Sequence, residues 1–410
     1  PAITPVEVNR NAQSDFLKTV AKIPATPVKP QWLDYKKDIT TGKVGNTDML
    51  YVQNRENGLF RLYYRFNMGA YNNKLLPFAA GYLQYLGTDK YTASEISQQF
   101  YDIACSFRVS TGNEETMISI SGLQENFEKA VQLFEHLLHH CRADENVLTS
   151  LKGGIKKNRA DSKLNKSNIM KGLVQYAMYG PHNPFNNQLS EEAIDNLKAT
   201  ELVDILHSLP DYRHTVIYYG PATMAATADA VKQMHPLPAT YKPVPPAIKF
   251  SKVDQEENRV LFANYDMVQA EVQWVRNGPV YNPANTAVIS LFNNYFGGGM
   301  GSIVFQTIRE SKALAYSTYA SYTSPNKKGD HYTTVAYVGC QADKMDEAIA
   351  GMNDLLESMP ESETALAIAR KSMKQSIETQ RITQDGIIFS YLSAKRLGLD
   401  TDIRKEVYNT

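Results

Sequence analysis

Hydrophobic positions recur along this chain in two rhythms, every second residue or every third to fourth, and the order of strands and helices they predict occurs twice. Alternation predicts strands over Asp48–Gln53 and Leu59–Asn67, joined by the turn-forming run Asn54 to Gly58. Helical spacing follows over Lys74–Tyr85 and Ser94–Ile103, then strands near Ser106–Ser110 and Thr116–Ser121. A long helix over Asn126–Cys141 places Phe127, Ala130, Val131, Phe134, Leu138 and Cys141 on one face. Further helix covers much of Asn146–Tyr179 and Glu191–Leu209, before a strand at His214–Tyr219 and a helix at Ala222–Met234.

After residue 247 the order begins again. Strands are predicted at Arg259–Asn264 and Glu271–Arg276, and a helix at Ala284–Phe296. A glycine turn, a short helix over Ile303–Ser311 and a strand carrying Tyr316, Thr318, Ala320 and Tyr322 on one face come next. A strand at His331–Cys340 and helices at Asp343–Ser358, Glu363–Arg381 and Asp385–Lys395 complete the second run. Ile120-Ser121-Gly122-Leu123-Gln124 answers Tyr337-Val338-Gly339-Cys340-Gln341, and Ala130-Val131 answers Ala348-Ile349. The expectation is an α+β fold made by tandem duplication of a two-layer domain, each copy a mainly antiparallel sheet with helices on one face.

The predicted organisation is a lead-in over residues 1–40, a first domain over 41–234, a proline-rich linker over 235–247 and a second domain over 248–410. The first copy ends with a strand and helix by Met234, so the second is expected to lack roughly 40 residues at its end. The start at Pro1, with no Met or leader, reads as a piece cut from something longer.

Composition narrows the function. Lys plus Arg equals Asp plus Glu at 43 each, which argues against a nucleic-acid or anionic-membrane surface, and no apolar run is long enough to span a bilayer. Cys105, Cys141 and Cys340 have no paired spacing and largely apolar neighbours, which favours buried free thiols over a disulfide framework or zinc knuckle. The compartment stays open, with a periplasmic or secreted home slightly favoured over the cytoplasm.

Three stretches invite chemistry. The run Gly297 to Gly301 lacks the following Lys-Ser/Thr of a phosphate cradle and reads instead as a close backbone approach or a sharp turn. His136, His139 and His140 lie within about one helical turn, yet the apolar face of that helix aims them mostly outward, as a solvated helix end. Arg309 and Tyr316 could together hold a carbonyl oxygen, one through a rigid fork of donors and the other through a neutral phenol. The residues alone favour the structural alternative, Arg309 capping helix carbonyls and Tyr316 filling a sheet face. No Ser-His-Asp or Cys-His set emerges from spacing.

Tyr295-Phe296-Gly297-Gly298-Gly299-Met300-Gly301-Ser302, with Phe305 to Glu310 and Leu314-Ala315-Tyr316-Ser317, resembles the pitrilysin/insulinase family of zinc metallopeptidases. The resemblance implies two similar α+β domains per half-enzyme. It also implies that the half remote from the zinc supplies an Arg and, seven residues later, a Tyr that reach the scissile carbonyl. Arg309 and Tyr316 match that spacing and become the candidate substrate-binding residues. Leu86-Gly87-Thr88 looks like the segment downstream of the family's His-x-x-Glu-His motif, which would fall on Phe78, Ala79, Ala80, Gly81 and Tyr82. Phe78, Gly81 and Tyr82 stand at the degenerate zinc positions, and no Glu occurs from Asn146 to Ser190 to serve as third ligand.

The resemblance therefore implies the C-terminal, non-catalytic half of a peptidase, with no catalytic residue and no metal of its own. Zinc is expected in a partner half, in the same chain or a separate subunit, and an extended peptide is the expected substrate. Alone, the chain is expected to bind no stoichiometric zinc and hydrolyse no peptide. The alternatives are a separately encoded inactive subunit of a heterodimeric processing peptidase and a structural or assembly protein on the same fold.

Overall fold

The computed structural model describes residues 13–24 and 26–410. Its first sheet comprises β1 (Thr40–Val44), β2 (Thr47–Gln53), β3 (Leu59–Phe66), β4 (Cys105–Thr111), β5 (Thr116–Leu123) and β6 (His214–Gly220). The strand order is β1-β2-β6-β3-β5-β4, antiparallel apart from the β2–β6 pair. Strict alternation in β3 sends Phe60, Leu62, Tyr64 and Phe66 to the inner face, where all four are fully buried. A second sheet of β7 (Gln269–Val280), β8 (Ser317–Thr323) and β9 (His331–Gln341) has the order β7-β9-β8 and is antiparallel throughout.

Helices α1 (Asp15–Ala21) and α2 (Tyr35–Asp38) precede the first sheet. Between β3 and β4 lie α3 (Leu76–Leu83) and α4 (Ala93–Asp102), the latter started by a Thr92/Glu95 capping box. After β5 come α5 (Phe127–His140), α6 (Glu145–Lys163), α7 (Lys166–Tyr179), α8 (Glu191–Asp195) and α9 (Ala199–Ser208), and after β6 comes α10 (Met224–Met234). The helical stretch over 146–179 is divided at Leu164 and Asn165, because the Asn165 side chain accepts from the amides of Ser167 and Asn168 and starts a new helix. The second copy contributes α11 (Thr286–Phe296), α12 (Met345–Glu357), α13 (Glu363–Thr379), α14 (Gly386–Arg396) and α15 (Arg404–Asn409).

The repeat in sequence is a repeat in topology. The β3-β5-β4 order of the first sheet recurs as β7-β9-β8, and each third strand ends in a 3-10 turn feeding a helix, Gln124–Asn126 into α5 and Ala342–Lys344 into α12. Register makes Arg61, opposite Ser121, the counterpart of Glu271, opposite Gly339, so the structural repeat runs one residue off the glycine-to-glycine alignment of the two motifs. Both face the other copy. Arg61 pairs with Asp385 at the start of α14, and Glu271 Oε1 lies 2.7 Å from Lys166 Nζ at the start of α7. Each copy thus lends a helix to the outer face of the other copy's sheet, through ion pairs of opposite polarity. Leu50, Val52, Ile217 and Tyr219 pack there against Ile388 and Ala394 of α14.

One predicted strand needs correction. Arg259–Asn264 is not a strand; it is irregular, with Val260 94% and Phe262 82% exposed. Its counterpart β2 is held by pairing with β6, and among the described residues no strand lies on the corresponding side of β7. Within the lead-in, Trp32 packs edge-on against Tyr408, and the Leu33 amide donates to Asp402. The proline-rich stretch packs against the first copy. His235 is buried, Lys242 pairs with Asp211, and Pro245 accepts from Asn72. Thr40–Val44, not foreseen as a strand, pairs as β1 with β2.

Candidate functional site

Phe78, Gly81 and Tyr82 lie on α3, which is packed into the first core. Tyr82 is fully buried, and its hydroxyl donates to the Asp144 carbonyl at 2.6 Å while accepting from the Asp144 amide at 2.8 Å. Asp144 caps α6, so this phenol pins α3 to α6. Phe78 offers no donor atom, Gly81 has no side chain, and the Tyr82 oxygen is engaged on both sides. These residues do not fit a zinc ion, which needs imidazole, thiolate or carboxylate lone pairs converging on one point.

Arg309 and Tyr316 sit at the two ends of a tight reversal. Phe305–Ser311 is a wide π-type turn, closed by Lys312 N–H donating to Thr307 at 3.0 Å. Ala313 then adopts φ 50°, a left-handed conformation that turns the chain into β8 at a cost of about 1 kcal/mol. The Tyr316 amide donates to the Gly339 carbonyl at 2.9 Å, fixing the phenol just before β8. Gly297 makes the packing feasible, since a Cβ there would stand 2.1 Å from the Ala320 carbonyl oxygen.

Both side chains reach solvent. The Arg309 guanidinium lies 4.8 Å from the Phe305 ring centre, with Glu310 Oε1 3.9 Å from its Nε. Tyr316 is 55% exposed, and its hydroxyl accepts from Gln341 Nε2 at 2.6 Å. Among the described residues Arg309 donates to no helix carbonyl, and Tyr316 fills no core, so neither occupies the structural role that the residues alone favoured. Gln341 escaped the sequence reading as the residue holding this phenol.

A second polar cluster was not legible beforehand. Glu135, placed among the outward histidines of its helix, is buried, and its Oε1 lies 2.8 Å from His235 Nδ1. His235 Nε2 meets His214 Nε2 at 3.0 Å, and His214 Nδ1 donates to the Tyr212 carbonyl at 2.9 Å. His136 and His139 are half-buried, contrary to the outward placement expected of them, while His140 is exposed. The partners come from positions about 80 to 100 residues apart, so spacing held no signal. Among the described residues no group of three or more His, Cys, Asp or Glu is placed to hold a metal ion. The three cysteines are free and buried, and burial pushes the Cys141 thiol up to about 12.

A family model described as Peptidase M16 inactive domain matches residues 210–373, and one described as Insulinase (Peptidase family M16) matches residues 82–192. The uncharacterized zinc protease YmxG of Bacillus subtilis (strain 168) is 22% identical over 302 residues, spanning 72% of this chain and 70% of that protein. The crystal structure of a peptidase M16 inactive domain from Pseudomonas fluorescens matches with a TM-score of 0.66 at 17% identity, covering 90% of each chain. The periplasmic protease PqqL from Escherichia coli matches with a TM-score of 0.72 at 15% identity, covering all of this chain and 46% of PqqL. At such identities the structural matches speak for the fold.

Proposed function

The chain belongs to the insulinase (M16) peptidase family as an inactive half, and from that premise we propose that it closes a proteolytic chamber and positions an extended peptide for cleavage by a zinc-bearing half. The observation that carries this reading is the pair of solvent-facing donors, Arg309 and Tyr316, on a reversal braced by β8 and β9. When bound in the partner half, zinc supplies the activated water. The residues of this chain bind and orient. A guanidinium and a phenol directed at one carbonyl oxygen would gain most as negative charge develops there. Gln341 Nε2, donating to the Tyr316 oxygen, leaves the phenolic proton free for that oxygen. A periplasmic or secreted compartment, as for PqqL, suits this reading, and no helix among the described residues is long and apolar enough to cross a membrane.

The test is kinetic. In the peptidase reconstituted with its zinc-bearing half, Tyr316→Phe should lower kcat on the order of a hundredfold, about 3 kcal/mol, with little change in KM. Arg309→Lys keeps the charge, loses the fork and should fall between wild type and Arg309→Ala. Wild-type turnover in both Tyr316→Phe and Arg309→Lys would remove the pair from the mechanism.

A further inference from the structure

The two copies carry different side chains on the outer faces of their sheets, and the difference falls beside Tyr316. With Arg61 and Ser121 matched to Glu271 and Gly339, the cross-strand pair Arg108–Ser119 of β4 and β5 corresponds to Tyr319–Tyr337 of β8 and β9. The two tyrosine rings stack, with centres 5.2 Å apart and planes 17° from parallel. Helix α7 lies over β7, where Lys166 holds Glu271, and beyond it Ser317 and Tyr319 are exposed, Tyr319 by 40%. A polar face in the first copy is thus an aromatic shelf in the second.

The shelf is continuous with the candidate substrate donors. Gln341, whose amide holds the Tyr316 hydroxyl, shares the outer face of β9 with Gly339 and Tyr337, because alternate residues of a strand point the same way. A Cβ on Gly339 would stand 2.9 Å from the Tyr337 hydroxyl oxygen, so this phenol lies back along the strand over Gly339, toward Gln341. Burial, with the Glu271 carboxylate beside it, pushes the Tyr337 phenol up to about 12 and keeps it neutral. The outer face therefore runs from the Tyr316 hydroxyl through the Gln341 amide and the Tyr337 hydroxyl to the open ring of Tyr319.

We propose that Tyr319, backed by Tyr337, determines specificity by stacking on an aromatic side chain of the extended peptide whose scissile carbonyl meets Arg309 and Tyr316. This inference rests on the peptide-positioning reading above and names the side chain that reading leaves open. Gln341 and Tyr337 lie four residues apart on β9, roughly 13 Å, which an extended peptide spans in about four residues. The preferred aromatic side chain is therefore remote from the scissile bond, about three to five residues away. An aromatic ring is favoured over a cation because Glu271, the carboxylate beside the shelf, is already taken by Lys166, so a Lys or Arg side chain gains no counterion there.

Kinetics of the peptidase reconstituted with its zinc-bearing half test this, on fluorogenic peptides with Phe, Arg or Ala moved through the positions about three to five residues to either side of the scissile bond. At one of these positions Phe should lower KM about three- to tenfold relative to Ala, the worth of one aromatic pair, with kcat little changed. Tyr319→Ala should abolish that preference, and Tyr319→Phe, which keeps the ring, should retain it. The preference is a ratio of two peptides on one preparation, so any loss of folded protein cancels. No aromatic preference at any position, an aromatic preference that survives Tyr319→Ala, or an Arg preference that Tyr319→Ala removes would each overturn the proposal. Tyr316→Phe on the same peptides keeps the two readings apart. A fall in kcat with no Phe preference sinks the shelf and leaves the donor pair. Wild-type kcat in Tyr316→Phe, with a Phe preference still lost in Tyr319→Ala, sinks the donor pair and leaves the shelf.

Discussion

Burial pushes the His214 imidazole down to about 4, and the neighbouring His235 adds to the push. The hydrogen bonds explain how the site tolerates this. A carbonyl can only accept, so His214 Nδ1 carries the proton toward Tyr212, its Nε2 is left to accept, and His235 Nε2 must donate. The remaining proton of the network lies between His235 Nδ1 and Glu135. Burial raises the Glu135 carboxyl, but His235 and His139 outweigh it and hold it below its usual range. The sign of the pH dependence follows. An unfolded His214 takes up a proton near 6.5 and the folded one only near 4, so stability present above 6.5 falls by about 3 kcal/mol as pH drops through that window. Glu135 acts in the same direction below its ordinary value, since its depressed group loses its contribution on protonation. Thermal melting from pH 7 to pH 4 should show this loss, and His214→Gln should flatten it. Parallel profiles for wild type and variant would refute the assignment.

At the scale of elements, the glycine run between α11 and the Phe305–Ser311 turn behaves as separate residues. Gly297 abuts the β8 backbone and Gly298 abuts the Asn293 carbonyl, whereas a Cβ on Gly299 would meet nothing within 4 Å. Asn293 completes the join, accepting from the Tyr322 amide at 2.8 Å and donating to the Tyr322 carbonyl at 3.1 Å. Gly297→Ala should therefore cost about 2–3 kcal/mol by overpacking and displace β8, which Tyr316 directly precedes. Gly299→Ala should be neutral to within about 0.5 kcal/mol. Denaturant unfolding of the two variants separates them, and equal stabilities would mean that α11 does not approach β8 this closely. The reach of the sequence ended at this scale. Alternation identified β3, and the apolar stripe identified α5, because local periodicity reports which face is buried. The same alternation failed at Arg259–Asn264, because a strand also needs a partner, and a partner is a long-range fact.

Across the whole molecule the two copies are locked by exchanged helices. Asp385 is buried, pairs with Arg61 and accepts from the Tyr63 hydroxyl at 2.5 Å, while the Tyr63 ring meets Phe389 edge-on. Arg61 is 43% exposed, so water screens part of that pair, and Asp385→Ala should cost about 1–3 kcal/mol. The loss should appear as faster exchange in α14 and along β2, with the second sheet's own core unaffected. Unchanged exchange there would show that the apolar contacts of Ile388 and Ala394 hold the copies together without the charge.

The sequence by itself determined the duplicated α+β plan, the absence of zinc-ligating residue types at Phe78, Gly81 and Tyr82, and the Arg309/Tyr316 spacing. Each is a property of residue type or local period, which a linear chain displays directly. Tertiary structure alone decided that Tyr82 pins α3 to α6, that Glu135 and two histidines from about 80 to 100 residues away share a buried network, and that Arg259–Asn264 forms no strand. Those depend on which distant positions meet and on which edge lacks a neighbour, and burial and pairing of that kind are set only when the layers close.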